Sequence, residues 1–332
     1  MRSFYRIYIR HFCIGMIFTL ILPPLFLTSC KKKSTVTKTE AIHIAIQPSA
    51  AFIPLYIARY KGLIEEALKP MGVEVIWQDF ESGPPMVQSL TAELSDIGVI
   101  GDVPTVSVLS DGNTMKIVGI PASGADAYAM LARSDNTDFH SAKDMKGKKI
   151  ATVFGSTGHN FTKKLLGSNN LSFDDIDFLS IAAGDAEESL NKGVCDAIVI
   201  WEPNVTRLID KGFAKIVSVG SETDLQGTNA FIVRSEYLAM HKDVIKVILE
   251  QYYKAVQLIS VLDPETLSKL SAALNVSEGQ ILKIARKYDF SVVVSDKDIA
   301  SLQDTVDFLV DIGNLSAPYK VSSKVENLLN KY

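Results

Sequence analysis

Cysteine is scarce in this chain, with Cys13, Cys30 and Cys195 the only three in 332 residues. Two of them fall within the first thirty positions, so a domain built from the rest of the chain has Cys195 alone and no intramolecular disulfide. Cys195 stands just before the apolar run Ala197 to Trp201 and reads as a small buried residue, not a nucleophile. Histidine is as sparse. Beyond His11, the residues His43, His140, His159 and His241 lie far apart and show no metal-ligand spacing, so neither a metal nor a cofactor is expected. No G-x-S-x-G nucleophile motif occurs, and the lysines are scattered instead of forming the basic stripe of a nucleic-acid binder. There is no repeat of fixed period. No apolar run reaches the roughly 20 residues that cross a bilayer, and Pro23-Pro24 interrupts the longest one.

What is present begins with Arg2, Arg6 and Arg10, followed by a mostly apolar run from His11 to Leu27 and then Leu27-Thr28-Ser29-Cys30. A positive start, a short apolar stretch and small residues before a cleavage point are the marks of a signal peptide, here residues 1–29. The tetrapeptide resembles the bacterial lipoprotein signal, which implies that Cys30 is acylated and becomes the first mature residue. Residues 30–40 then form a lipidated tether, rich in Lys, Ser and Thr with Val36 as its only bulky apolar side chain. Removal of the first thirty residues leaves 31 basic and 38 acidic residues, a net charge of −7.

From residue 41 short apolar runs alternate with helical patterns, the α/β signature. Strands are expected near Ile42 to Ile46, Val73 to Trp77, Ile97 to Ile100, Lys116 to Ile120, Lys149 to Val153, Asp177 to Ser180, Ala197 to Ile200 and Lys215 to Val219. Two further apolar segments, Ala127 to Ser134 and Ala230 to Ser235, both close on Arg-Ser and have the form of two strands crossing between lobes. They divide the chain into a first lobe, residues 41–125 with 228–332, and an inserted lobe, residues 126–227. Beyond Ser235 the chain turns helical. Val244, Ile248, Tyr252, Ala255 and Ile259 recur at helical spacing, Asp263-Pro264 restarts the helix, and further helices follow to Ile312.

Four strand-to-helix junctions carry the functional information: Gln47-Pro48-Ser49, Ser82-Gly83-Pro84-Pro85, Gly101-Asp102-Val103-Pro104 and Gly155-Ser156-Thr157-Gly158-His159. In open α/β sheets ligands bind at the carboxyl ends of strands, where free N–H groups and helix dipoles favour an anion. None of the four contains Lys or Arg, so an anion there is held by neutral donors. That suits a permanently ionised sulfonate or sulfate. The same residues are also ordinary helix caps.

Taken in order, Ser82 to Pro85, Asp96-Ile97-Gly98 with Gly101-Asp102, Met145 to Lys149, Gly155 to His159 and Asp196 to Pro203 resemble the solute-binding proteins for aliphatic sulfonates, taurine, nitrate and the thiamine-precursor pyrimidine. The resemblance spans roughly residues 41 to 325. It implies a two-lobe type II periplasmic-binding fold, with the C-terminal helices as an addition to the first lobe. It also implies an extracytoplasmic, lipid-anchored monomer that serves an ABC permease and its ATPase, with a small organic anion as ligand. Carried over residue by residue, the cleft comprises Gln47, Ser49, Ser82, Gly83, Gly101, Asp102, Ser156, Thr157, His159, Trp201 and Glu202. Ser156 and Thr157 open a helix toward the ligand. His159 is expected neutral, either as a donor or as a helix-surface residue. Asp102 fits an N-cap as well as a contact, and Trp201 fits a cleft wall as well as the core. Glu202, where many relatives carry Asp, would favour a cationic group on the ligand's tail. An enzyme on the same fold is the competing class.

Overall fold

The computed structural model describes residues 40–110 and 114–329. The signal segment 1–29 and Cys30 lie outside the described residues, as does the tether up to its last residue, Glu40, which already pairs in the first strand.

Along the chain the first sheet begins with β1 (Glu40–Ile46), β2 (Val73–Asp79), β3 (Ile97–Gly101) and β4 (Met115–Ser123). Between these strands run α1 (Ile53–Tyr60), α2 (Leu63–Leu68), α3 (Gly83–Thr91) and α4 (Asp102–Leu109). The second sheet contains β5 (Tyr128–Arg133), β6 (Lys149–Thr152), β7 (Asp177–Ser180), β8 (Ala197–Trp201) and β9 (Ala214–Val219), with α5 (Thr157–Ser168), α6 (Ala186–Asn191) and α7 (Asn204–Asp210). The chain then returns to the first sheet through β10 (Asn229–Arg234), α8 (Ser235–Met240), α9 (Lys242–Leu258), α10 (Pro264–Leu274), α11 (Glu278–Ala285), β11 (Asp289–Phe290) and α12 (Asp296–Asp311).

The sheet orders are β11-β4-β10-β3-β1-β2 and β7-β6-β8-β5-β9. The two strands read from the sequence as crossovers are β5 and β10. Each lies inside its sheet and runs antiparallel to both neighbours. At the crossing the two connecting segments touch, with the Gly124 N–H donating to the Gln226 carbonyl at 3.0 Å. A Cβ on Gly227, whose φ is +65°, would stand 2.7 Å from the Gly124 carbonyl oxygen, so this close approach requires glycine.

Both sheets start their central strand with the same device. Asp96 precedes β3 and accepts from the His43 N–H of β1; Asp196 precedes β8 and accepts from the Lys149 N–H of β6, both at 2.8 Å. Each follows a left-handed turn, at Glu93 (φ 59°) and Gly193 (φ 65°). The carboxylates thereby satisfy strand-edge N–H groups that would otherwise lack a partner. Helices cover both sheets, and the apolar residues of β3, β8 and β10 are buried throughout, as strands buried on two faces require.

Candidate functional site

Four helical starts converge between the sheets. Ser49 caps the 3-10 turn Ala50–Phe52, its Oγ accepting from the Ala51 N–H at 3.3 Å. Ser82, Gly101 and Ser156 hold the extended N-cap positions of α3, α4 and α5. Packing between these starts is close enough to exclude side chains at two of them. A Cβ on Gly83 would lie 2.7 Å from Pro104 Cγ, and one on Gly101 would lie 2.3 Å from Thr157 Oγ1, across the cleft.

The cavity they enclose is lined by Gln47, Ser49, Gly83, Gly101, Pro104, Tyr128, Ser156, Thr157, Trp201 and Asn229. Every one of the four junctions read from the sequence contributes. Tyr128, Asn229 and Pro104 were not among the residues the sequence singled out for the cleft. Ser82, Asp102, His159 and Glu202 are buried but stand behind the lining. The cavity measures about 20 Å³, room for little more than one water-sized sphere.

The hydroxyl groups at the α5 start are already engaged. Ser156 Oγ donates to the Val153 carbonyl at 2.6 Å, and the Thr157 hydroxyl lies beside the Asp102 carboxylate. Of the first-turn N–H groups, that of His159 donates to the Ser156 carbonyl at 2.9 Å, which leaves those of Thr157 and Gly158 as the donors this end presents.

Asp102 ties the lobes together. Its Oδ2 accepts from Asn160 Nδ2 of α5 at 2.7 Å and from Thr305 Oγ1 of α12 at 3.4 Å, while Oδ1 accepts from the Val103 N–H at 2.7 Å. Burial raises its pKa, and the donors from Thr157, Asn160 and Val103 oppose that rise. Glu202 is fully buried: Thr206 supplies its backbone N–H at 3.0 Å and hydroxyl at 2.9 Å, and Lys287 Nζ stands 2.5 Å from Oε1. The carboxylate is thus bound and its charge neutralised from within the protein by Lys287, which opposes the attraction expected of it for a cationic tail. Burial also lifts the Tyr128 hydroxyl above the usual phenol range, with the charge of Asp102 adding to the effect.

His159 sits in an aromatic cluster. Its ring centroid is 5.2 Å from Phe154, 5.1 Å from Phe178, 5.5 Å from Phe173 and 5.5 Å from Phe308. Burial lowers its pKa to about 4, and Nδ1 accepts from the Gly155 N–H at 3.4 Å. The expected neutral state is present, but desolvation is the cause, and the ring braces the loop instead of lining the cavity. Cys195 is buried, and its thiol is pushed up to about 11 by desolvation.

Two α/β lobes with one antiparallel crossover strand each, closing over helix N-termini, define a type II periplasmic-binding fold. The profile of the family described as "NMT1/THI5 like" matches residues 49–265, more than half of the chain, and the chain belongs to that family. It is 29% identical over 293 residues, 88% of this chain and 87% of the relative, to a Bacillus subtilis (strain 168) protein that bears the name of an aliphatic sulfonates-binding protein. The alkanesulfonate-binding protein SsuA from Xanthomonas axonopodis pv. citri, bound to MOPS, has the same fold, with a TM-score of 0.79 at 22% identity over 86% of this chain and 98% of that one. The desulfurization enzyme DSZB shares it as well, with a TM-score of 0.64 at 15% identity over 87% of this chain and 96% of that one.

Proposed function

We propose that the chain is the solute-binding component of an ABC importer, that it captures a small organic sulfonate between its lobes, and that it hands the solute to a membrane permease driven by an ATPase. In this reading residues 41–125 with 228–332 and residues 126–227 are the two moving lobes. The protein works as a monomer on the extracytoplasmic side of a membrane, tethered through a lipid on Cys30. The observation that carries the ligand class is the lining itself: four helical starts meet there, and none of the ten residues bears a charge. A sulfonate needs no counter-charge to stay ionised, and its three oxygens distribute over several N–H donors, each bond being charge-assisted. The family and the sulfonate-binding names of the relative and of the solved structure support the same class.

The fold shared with DSZB makes an enzyme the second reading. The lining argues for binding, because it contains no Cys, His, Asp, Glu or Lys to act as nucleophile, acid or base. Calorimetry with short alkanesulfonates, sulfate, nitrate and the thiamine-precursor pyrimidine, followed by mass spectrometry of the recovered ligand, tests both readings. The expected result is a sulfonate bound and recovered unchanged. Binding of the uncharged pyrimidine alone would refute the anion cradle, and a desulfonated product would refute the binding role.

A further inference from the structure

We infer that the cleft accepts one negative charge and rejects two, and that the buried carboxylate of Asp102 sets this limit; the inference rests on the sulfonate reading above. The helical starts around the cavity do not offer donors equally. At the Ser49 turn the Ala50 N–H donates to the Glu202 carbonyl at 3.3 Å, that of Ala51 to Ser49 Oγ and that of Phe52 to the Ser49 carbonyl at 3.1 Å. At α4 the Val103 N–H donates to Asp102 Oδ1, and Pro104 has no N–H. The first turn of α3 contains Pro84 and Pro85, which leaves Gly83, a residue that can line the cavity only with backbone. Gly83 of α3 with Thr157 and Gly158 of α5 are therefore the first-turn residues left to bind an anion.

A helix N-terminus acts as roughly half a positive charge, so α3 and α5 together supply about one. The start of α4 adds nothing to this, because the Asp102 carboxylate lies in its first turn and offsets it. The Val103 N–H holds Oδ1 and the Asn160 amide N–H holds Oδ2; both donors lack a lone pair to offer, so both oxygens accept, as in the ionised form. The carboxylate stands one hydrogen bond from the lining, since the Thr157 hydroxyl lies against it, and its charge acts on the Tyr128 hydroxyl as well. The cations behind the lining are engaged elsewhere, Lys287 with Glu202 and Lys164 with Asp224 and Asp304. A single negative charge is thus matched by the two helix starts, while the second charge of a dianion meets no cation and is repelled by Asp102. The cleft takes a sulfonate and excludes sulfate and the doubly ionised phosphonate of the same shape.

The test is titration calorimetry of the full chain with ethanesulfonate, ethylphosphonate and sulfate, at a pH where the phosphonate is doubly ionised. Ethanesulfonate is expected to bind at least about tenfold tighter than either dianion. Asp102→Asn keeps the shape and removes the charge, and is expected to shrink the ratio of sulfonate to phosphonate affinity by at least about threefold; Asp102→Ser serves if the asparagine variant melts early. The ratio is the readout because Asp102 also ties the lobes together, and a general loss of closure weakens both ligands alike. Binding of either dianion by the wild-type protein as tightly as ethanesulfonate would overturn the inference while leaving the sulfonate reading intact. So would a ratio that survives loss of the charge. Binding of no sulfonate at all would overturn both.

Discussion

Asn229 and Gly101 are partners across the β10–β3 ladder, so the first residue of one crossover strand lies beside the last residue of a central parallel strand. Tyr128 and Trp201 stand in the same relation across β5 and β8 in the second sheet. All four line the cavity. The antiparallel strands begin where the parallel ones end, at the cleft, and this places hinge and binding surface in adjacent residues. In the binding role proposed above, closure of the lobes and contact with the solute are thereby coupled.

Gly101→Ala drives a wedge into that closure. The new Cβ would come within 2.3 Å of Thr157 Oγ1 on the opposing lobe, while the backbone at φ −69°, ψ 178° suits alanine. Overpacking of this kind costs about 1 to 3 kcal/mol, which here falls on the closed state, so sulfonate affinity should drop roughly five- to 150-fold. The unfolding midpoint should barely move. Small-angle scattering should show wild-type protein contracting with ligand and the variant failing to do so. Contraction and affinity like those of the wild type would show that the Gly101 to Thr157 contact plays no part in closure.

His159 makes stability depend on acidity. Its folded-state pKa of about 4 lies below the ordinary 6.5, so the unfolded chain binds the extra proton between those values. Its contribution is complete above pH 6.5, declines as the pH falls toward 4 and is exhausted below that, a loss of roughly 2 to 3 kcal/mol. His159→Phe should flatten the denaturant stability curve across this window relative to wild type. Parallel curves for the two proteins would contradict the assignment.

Cys30→Ala should leave an unprocessed precursor that takes up no lipid label. Membrane fractionation with a labelled fatty acid checks this, and equal labelling of the wild type and the variant would remove the proposed anchor.

The strands and the four junctions were legible in the sequence because both are local. Apolar runs fix the strands, and small residues followed by Pro or a helical pattern mark where strands give way to helices. The crossovers were legible as strands, but the first residues of both, Tyr128 and Asn229, were not marked as lining. Their position at the cleft arises from pairing with Trp201 and Gly101, far away in the chain, and nothing local records it. The same holds for the buried carboxylates. Glu202 read as a free anion because Lys287, which neutralises it, lies 85 residues away in the turn after α11, and the binding of Asp102 to Asn160 spans the two lobes. For Ser156 and Thr157 the residue positions were legible, but the engagement of their hydroxyls by Val153 and Asp102 was not.

The interior position of β10 governs the order in which the molecule can assemble. Because β10 lies between β3 and β4, those two earlier strands cannot finish their shared sheet until residue 229 and its successors arrive. The whole second sheet is made in the meantime, as an excursion from an unfinished first one. Loop closure over so long a stretch is slow, and the waiting strands expose unpaired edges. β3 and β4 therefore each keep an unpaired edge until about seven tenths of the chain is available to fold.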